Sequence, residues 1–323
     1  MFRSDINLLR AISVIGVVFY HFEAYFITGG FIGVDVFFVI SGFLMTKIVH
    51  TRLEENNFSY FSFFKRRCER IIPPLACMIL VFLIINWFFS YSIYYREQGK
   101  HGLASLGFLS NLIYWQESNY FDSASKGKLF LHTWSLSVEW QFYLLYPLIL
   151  MFSKRIFSLS SNRYIVAFIS VVSFSLCIWG SSRYPSATFY LLPTRSWEMT
   201  LGGMAFLYSC DLRLQARKFV SICGLSVILF SMFFFDESDL WPSYYSLIPT
   251  ISAALVIWSQ YESRFFRLKI LVWIGLSSYS IYLWHWPFLA MRFNGFIDAN
   301  NILLFVFLAL VSWLSYYFLE RKR

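Results

Sequence analysis

Apolar runs long enough, or nearly long enough, to cross a bilayer follow one another along the whole chain. They occupy residues 6–27, 31–49, 72–92, 130–152, 164–180, 188–209, 218–235, 244–259, 270–291 and 301–319. A helix needs about 20 predominantly apolar residues to span the hydrocarbon core. Backbone polar groups in lipid must be satisfied within the segment, so runs of this kind fold as helices. No polar stretch is long enough to form a soluble domain; the longest lie near 51–70 and 117–128. The sequence therefore predicts an all-α fold, a single polytopic transmembrane bundle over 1–323 with about ten spans. Residues 102–116 form a shorter apolar segment, predicted as one re-entrant or interfacial helix.

The net charge of +9 would suit a nucleic-acid binder, but topology explains it better. If the N-terminus is cytoplasmic and 102–116 does not cross, only Arg96, Lys100, Lys126, Lys128, Arg183 and Arg292 fall outside. Arg10 and Arg195 lie within spans, and the remaining 19 of 27 Lys and Arg fall inside. If 102–116 crosses, the distribution becomes 11 inside and 14 outside. The positive-inside rule selects the first arrangement, with both termini cytoplasmic. No small-x-small cleavage site follows the first run, so it is expected to be retained. The five cysteines show no paired spacing, and no Cys/His cluster has metal-ligand spacing. No disulfide framework, metal or nucleic acid is expected.

Several spans carry ionisable groups, which are costly at membrane depth and usually mark sites. The first holds Arg10 and His21. Eleven residues is about three helical turns, so both lie on nearly one face, roughly 16 Å apart along the axis. The competing reading is a snorkelling Arg10 and a His21 bonded to a neighbouring helix. In the orientation above, Arg10 lies toward the cytoplasm and His21 in the outer half. Asp35 begins the second span. His132, Ser135, Ser137 and Glu139 fall in the outer half of the fourth, and Tyr282 and His285 near the outer end of the ninth. Arg195 and Glu198 are one turn apart in the sixth and able to pair. This predicts polar groups from five spans in the outer half of one bundle, with His132, Ser137, Arg195, Glu198, Tyr282 and His285 as acceptor-side candidates.

A second concentration is KRRCERIIPP at 65–74. Arg67 and Arg70 share a face if helical, and guanidinium groups bind phosphate bidentately. A plain positive-inside anchor is the competing reading. A ligand with phosphates at the cytoplasmic face and a reactive end deep in the bundle fits both concentrations, as an acyl-CoA would. A neutral His21 imidazole then serves as general base or transient acyl carrier, oriented by Glu139 or Asp35.

The motifs in order are Arg10 with His21, GVDVFFVISGFLMT at 33–46, KRRCERIIPP at 65–74, HTWSLSVEWQFYLLYP at 132–147 and SSYSIYLWHWPF at 277–288. With them the chain resembles the membrane-bound acyltransferase-3 family, bacterial O-acetyltransferases of surface polysaccharides and related glycans such as lipopolysaccharide O-antigen. The resemblance implies an inner-membrane enzyme that moves acetyl from cytoplasmic acetyl-CoA to a glycan or lipid-linked saccharide hydroxyl. It implies essential roles for Arg10 and His21, and a donor site at Arg67 and Arg70 with Arg66 beside them. It implies weaker roles for Asp35, Ser41 and Glu139. Where relatives read SVEEQ this sequence reads SVEWQ, so Trp140 replaces the second acid. The HTWSLSVE string is similar to a branch that often adds a soluble extracytoplasmic hydrolase-type domain. This sequence ends at FLERKR, so two expectations stand: a natural stand-alone enzyme, or a chain truncated after the membrane domain that hands acetyl to a separate extracytoplasmic transferase.

Two other classes compete. A proton-coupled transporter would show inverted repeats and matched broken spans, but Gly29–Gly30 and Gly202–Gly203 do not occupy matched positions. A non-catalytic scaffold would tolerate replacement of His21.

Overall fold

The computed structural model describes every residue except Met1, Tyr25, Ser90, Tyr91, 119–121, Asp298, Ala299, Lys322 and Arg323, and describes no side chain at Phe89 or 122–124. Tyr25 of the first predicted span, and Lys322 and Arg323 of the inner-side charges, thus lie outside the described residues.

The helices in order are α1 Ser4–His21, α2 Gly33–Glu54, α3 Tyr60–Phe89, α4 Ser92–Leu106, α5 Ser110–Glu117, α6 Thr133–Ile156 and α7 Asn162–Ser181. They continue as α8 Pro185–Tyr190, α9 Leu192–Leu207, α10 Leu214–Phe234, α11 Leu247–Ser259, α12 Lys269–Leu276, α13 Ser278–Phe293 and α14 Asn301–Ser315. There is no strand among the described residues. Five helical segments among the described residues are both long and apolar enough to cross a membrane: Gly30–Glu54, Tyr60–Phe88, Leu159–Ser181, Leu214–Phe234 and Asn301–Glu320. The all-helical, multi-pass character expected from the sequence is present.

Several predicted runs differ in detail, and the 6–27 run is helical only to His21, with Glu23 left-handed at φ 55°. The 102–116 segment is not one helix: α4 stops at Leu106, Phe108 takes a left-handed φ of 54°, and α5 begins at Ser110. A left-handed residue breaks a helix whatever the apolar composition around it. The 188–209 run breaks at Leu191, extended at φ −98° and ψ 141°, and α9 restarts with Pro193 in its first turn. Proline is favoured there because its missing N–H would be unpaired anyway. The 270–291 run is divided at Ser277, between α12 and α13. In α3, by contrast, Pro73 and Pro74 lie inside a continuous 30-residue helix and do not begin one. The Tyr279 hydroxyl donates to Ile71 O at 2.8 Å beside this weakened stretch.

The chain divides into two compact units, Met1–Tyr60 with Phe142–Leu276, and Phe61–Gln141 with Ser277–Arg323. In the first, α1 packs on α2 and α12, α2 on α9, α7 on α9, and α10 on α11. Its apolar core includes Leu9, Ile32, Val36, Val39, Ile228, Ala253 and Ile257. Backbone approach between α2 and α9 is very close. A Cβ added to Gly42 would lie 1.7 Å from Met199 O, and one on Gly202 would lie 1.9 Å from Val39 O. Small residues permit this crossing, the usual device where lipid removes the hydrophobic drive between helices. In the second unit, α13 packs on α14 and α4 on α5. Phe82 of α3 meets Trp284 and Phe288 of α13.

Burial on the outer helices is inverted relative to a water-soluble protein. In α10, Ser221 and Ser231 are buried while Phe219, Phe230, Phe233 and Phe234 are exposed. In α14, Ser312 and Ser315 are buried while Ile302, Val306, Phe307 and Leu310 are exposed. Helices that present their largest apolar side chains outward are solvated by hydrocarbon.

Candidate active site

In the first unit, Arg10 and His21 are both part-buried on α1, and His21 is its last residue. The last turn of a helix favours positive charge, because its carbonyls lack partners. The His21 ring lies 5.0 Å from that of Tyr20.

The same unit holds a fully buried charged triad. Asp35 sits in the first turn of α2, where the positive end of the helix favours a carboxylate. Its Oδ1 accepts from Arg195 Nη2 at 2.7 Å, and its Oδ2 accepts from Trp241 Nε1 at 3.0 Å. Arg195 Nη1 lies 2.8 Å from Glu198 Oε1, the one-turn pairing predicted from their spacing. Side-chain exposure is 0% for Asp35 and Glu198 and 1% for Arg195, so water does not compete for these contacts. Phe38 and Phe189 lie 5.4 and 5.9 Å from the guanidinium. Ser41 Oγ accepts from Tyr143 Oη at 3.2 Å, and Thr46 Oγ1 shares a 2.6 Å bond with Tyr146 Oη.

In the second unit, Arg67 of α3 is part-buried, with its guanidinium 5.6 Å from the Phe63 ring. Arg66 and Arg70 are exposed on the same helix. Lys65 pairs with Glu69 at 3.9 Å. Glu139 is part-buried on α6. His132, Tyr282 and His285 form a buried cluster. Tyr282 Oη donates to His132 O at 3.0 Å and shares a 2.7 Å bond with Ser135 Oγ. His285 Nδ1 donates to Tyr282 O at 2.6 Å, which assigns its proton to Nδ1. The rings of His132 and His285 meet at 5.7 Å. Ser137 enters a buried row of hydroxyls: Ser137–Ser110 at 2.7 Å, Ser110–Thr133 at 3.0 Å and Thr133–Ser105 at 2.7 Å.

Two features had no forecast. One is Trp241, whose partner Asp35 lies 206 residues away. The other, outside the spans, is Glu117, which bonds Lys100, His101 and Lys128, each at 2.9 Å. Burial raises the Glu117 carboxyl, but the two ammonium groups outweigh it and hold it at about 2. Burial lowers His101, against the opposing pull of Glu117. The forewarning was compositional: Glu117, Lys100 and Lys128 fall among residues expected outside the spans. Among the described residues no group of three or more His, Cys, Asp or Glu is arranged to hold a metal.

Comparison with known proteins adds the chemistry. The family model described as an acyltransferase domain matches residues 3–320. Peptidoglycan O-acetyltransferase OatA of Listeria monocytogenes is 33% identical over 311 residues, covering 89% of this chain and 49% of that protein. O-acetyltransferase OatA of Staphylococcus aureus is 30% identical over 340 residues, covering 97% and 55%. The putative peptidoglycan O-acetyltransferase YrhL of Bacillus subtilis is 29% identical over 348 residues, covering 97% and 53%. The chain spans about half the length of these curated relatives. No solved structure matches it.

Proposed function

The chain belongs to the acyltransferase family whose domain covers residues 3–320, and from that premise we propose that it is a membrane-embedded O-acetyltransferase. The reading takes acetyl-CoA as donor and a peptidoglycan-type glycan hydroxyl as acceptor. The names of the relatives favour peptidoglycan over the O-antigen type of acceptor. The observation that carries the reading is the family match together with an imidazole at the end of α1, on one helix face with Arg10. The proposed topology has about ten crossings of the inner membrane, with both termini cytoplasmic and the broken runs α8–α9 and α12–α13 each counted once.

In this reading the exposed guanidinium groups of Arg66 and Arg70, with Arg67, bind the phosphates of the donor from the cytoplasmic side. Arg10 supplies positive charge along the donor path. His21 removes the proton of the acceptor hydroxyl as its oxygen attacks the thioester carbonyl. The C–S bond breaks as the ester C–O bond forms, and the proton passes from His21 to the departing thiolate. One neutral base thus closes the cycle with no net proton gained or lost. Ser41 and Glu139 stay in the proposal as side chains near the donor and acceptor, and the His132–Tyr282–His285 cluster as an acceptor-side group.

The test is transfer of label from acetyl-CoA to glycan in membranes carrying the protein, His21→Ala or Arg10→Ala. General-base loss typically costs about 10²–10⁴ in rate, so His21→Ala is expected to abolish measurable transfer and Arg10→Ala to weaken donor use. Undiminished transfer in both would overturn the reading. Label accumulating inside vesicles without covalent transfer would establish a transporter in its place. Label held by protein and passed on only after a second polypeptide is added would establish the relay.

A further inference from the structure

One side chain joins the buried triad to the His21 end of α1, and no role above uses it. Trp241 follows α10 in the segment before α11. Its indole N–H is fixed by Asp35, which is itself fixed by Arg195. Its ring meets Phe31 edge-on at 5.0 Å, and Phe31 meets Tyr20 edge-on at 5.5 Å. Tyr20 precedes His21, and its hydroxyl donates to Glu237 at 2.9 Å. The other side of this turn has no slack. A Cβ on Gly30 would lie 2.1 Å from Gly16 O and 2.6 Å from Tyr20 Cβ. The last turn of α1 is therefore backed by an unbroken series of contacts ending on buried, charge-assisted hydrogen bonds, which are short and directional.

We propose that Trp241 is a positioning residue for His21, carrying the fixed geometry of Asp35 and Arg195 to the Tyr20–His21 turn through Phe31. This rests on the reading of His21 as the base. It gives Asp35 a task exercised through Trp241. It also sets the acids apart: Asp35 bonds Trp241 directly as well as Arg195, while Glu198 reaches the series through Arg195 and Asp35. A base displaced by about 1 Å from its productive position can lose roughly a hundredfold in rate.

The test uses the full chain in membranes, with labelled acetyl-CoA and peptidoglycan fragments as acceptor, across a pH series. Trp241→Phe keeps a ring and removes the N–H. Phe31→Leu interrupts the ring series and leaves the Trp241–Asp35 and Asp35–Arg195 bonds in place, so it removes no buried hydrogen bond. Each is expected to lower kcat by roughly tenfold to hundredfold and to shift the pH–rate profile, with KM for acetyl-CoA unchanged. Glu198→Gln is expected to lose less than Asp35→Asn. A merely structural role would reduce the amount of folded protein and leave the pH profile of the remainder in place. Folded Phe31→Leu with the parental kcat and pH profile would overturn the proposal, while an inactive His21→Ala would leave the base reading standing. An active His21→Ala would overturn the base reading itself.

Discussion

Glu117 holds two lysines and a histidine at once, and its acidity makes that arrangement measurable. Its carboxyl sits at about 2 in the folded protein against an ordinary value of 4.5. A lowered folded value means that the contribution to stability is complete above about pH 4.5 and is lost as pH falls toward 2. Lys100 is 56% exposed, so solvent screens part of the attraction, and Glu117→Gln is expected to cost about 1–2 kcal/mol near neutral pH. Thermal unfolding of both proteins in detergent should show that gap closing on acidification; a gap independent of pH would contradict it. At this scale the sequence is legible where partners are close along the chain. Arg195 and Glu198 are three apart, so helix geometry predicts their contact. Asp35, 160 residues from Arg195, carries no local mark of that partner. Its polar character near a span end said only that some partner was needed.

Glycines that read as candidate breaks in a span turn out to be contacts between spans. Gly202 lies within α9, which runs unbroken from Leu192 to Leu207, and touches the α2 backbone. Composition cannot separate a glycine that ends a helix from one that lets two helices meet, since both are explained by the missing Cβ. Gly202→Val is expected to force α2 and α9 apart and to cost several kcal/mol, seen as loss of the monodisperse peak in detergent. The same change at Gly99, inside α4 and around which a Cβ would meet nothing within 4 Å, should be neutral or stabilise by about a few tenths of a kcal/mol, since valine is the better helix former. Apolar run length found most helices, because lipid enforces it. It missed the divisions at Leu191, Phe108 and Ser277, where local backbone conformation overrides an apolar run.

Charge distribution sets the expected path of the chain through the membrane, and two cysteine probes test it, each placed in a chain whose five native cysteines are replaced by serine. Ser238→Cys, in the loop after α10, should react with an impermeant maleimide added to intact cells. Asn57→Cys, between α2 and α3, should react only after permeabilisation. Reaction of both from outside would refute the arrangement. The inverted burial of α10 and α14 has a practical corollary. Their inward faces hold buried serines, while their outward faces hold exposed phenylalanine, isoleucine and leucine. What specifies the fold and what specifies the solvent are thus written on opposite sides of the same helices. Recolouring the outward positions Phe219, Phe230, Phe233, Ile302, Val306 and Phe307 with charged residues would rewrite the second message and leave the first intact, the starting point for a water-soluble analogue of the bundle.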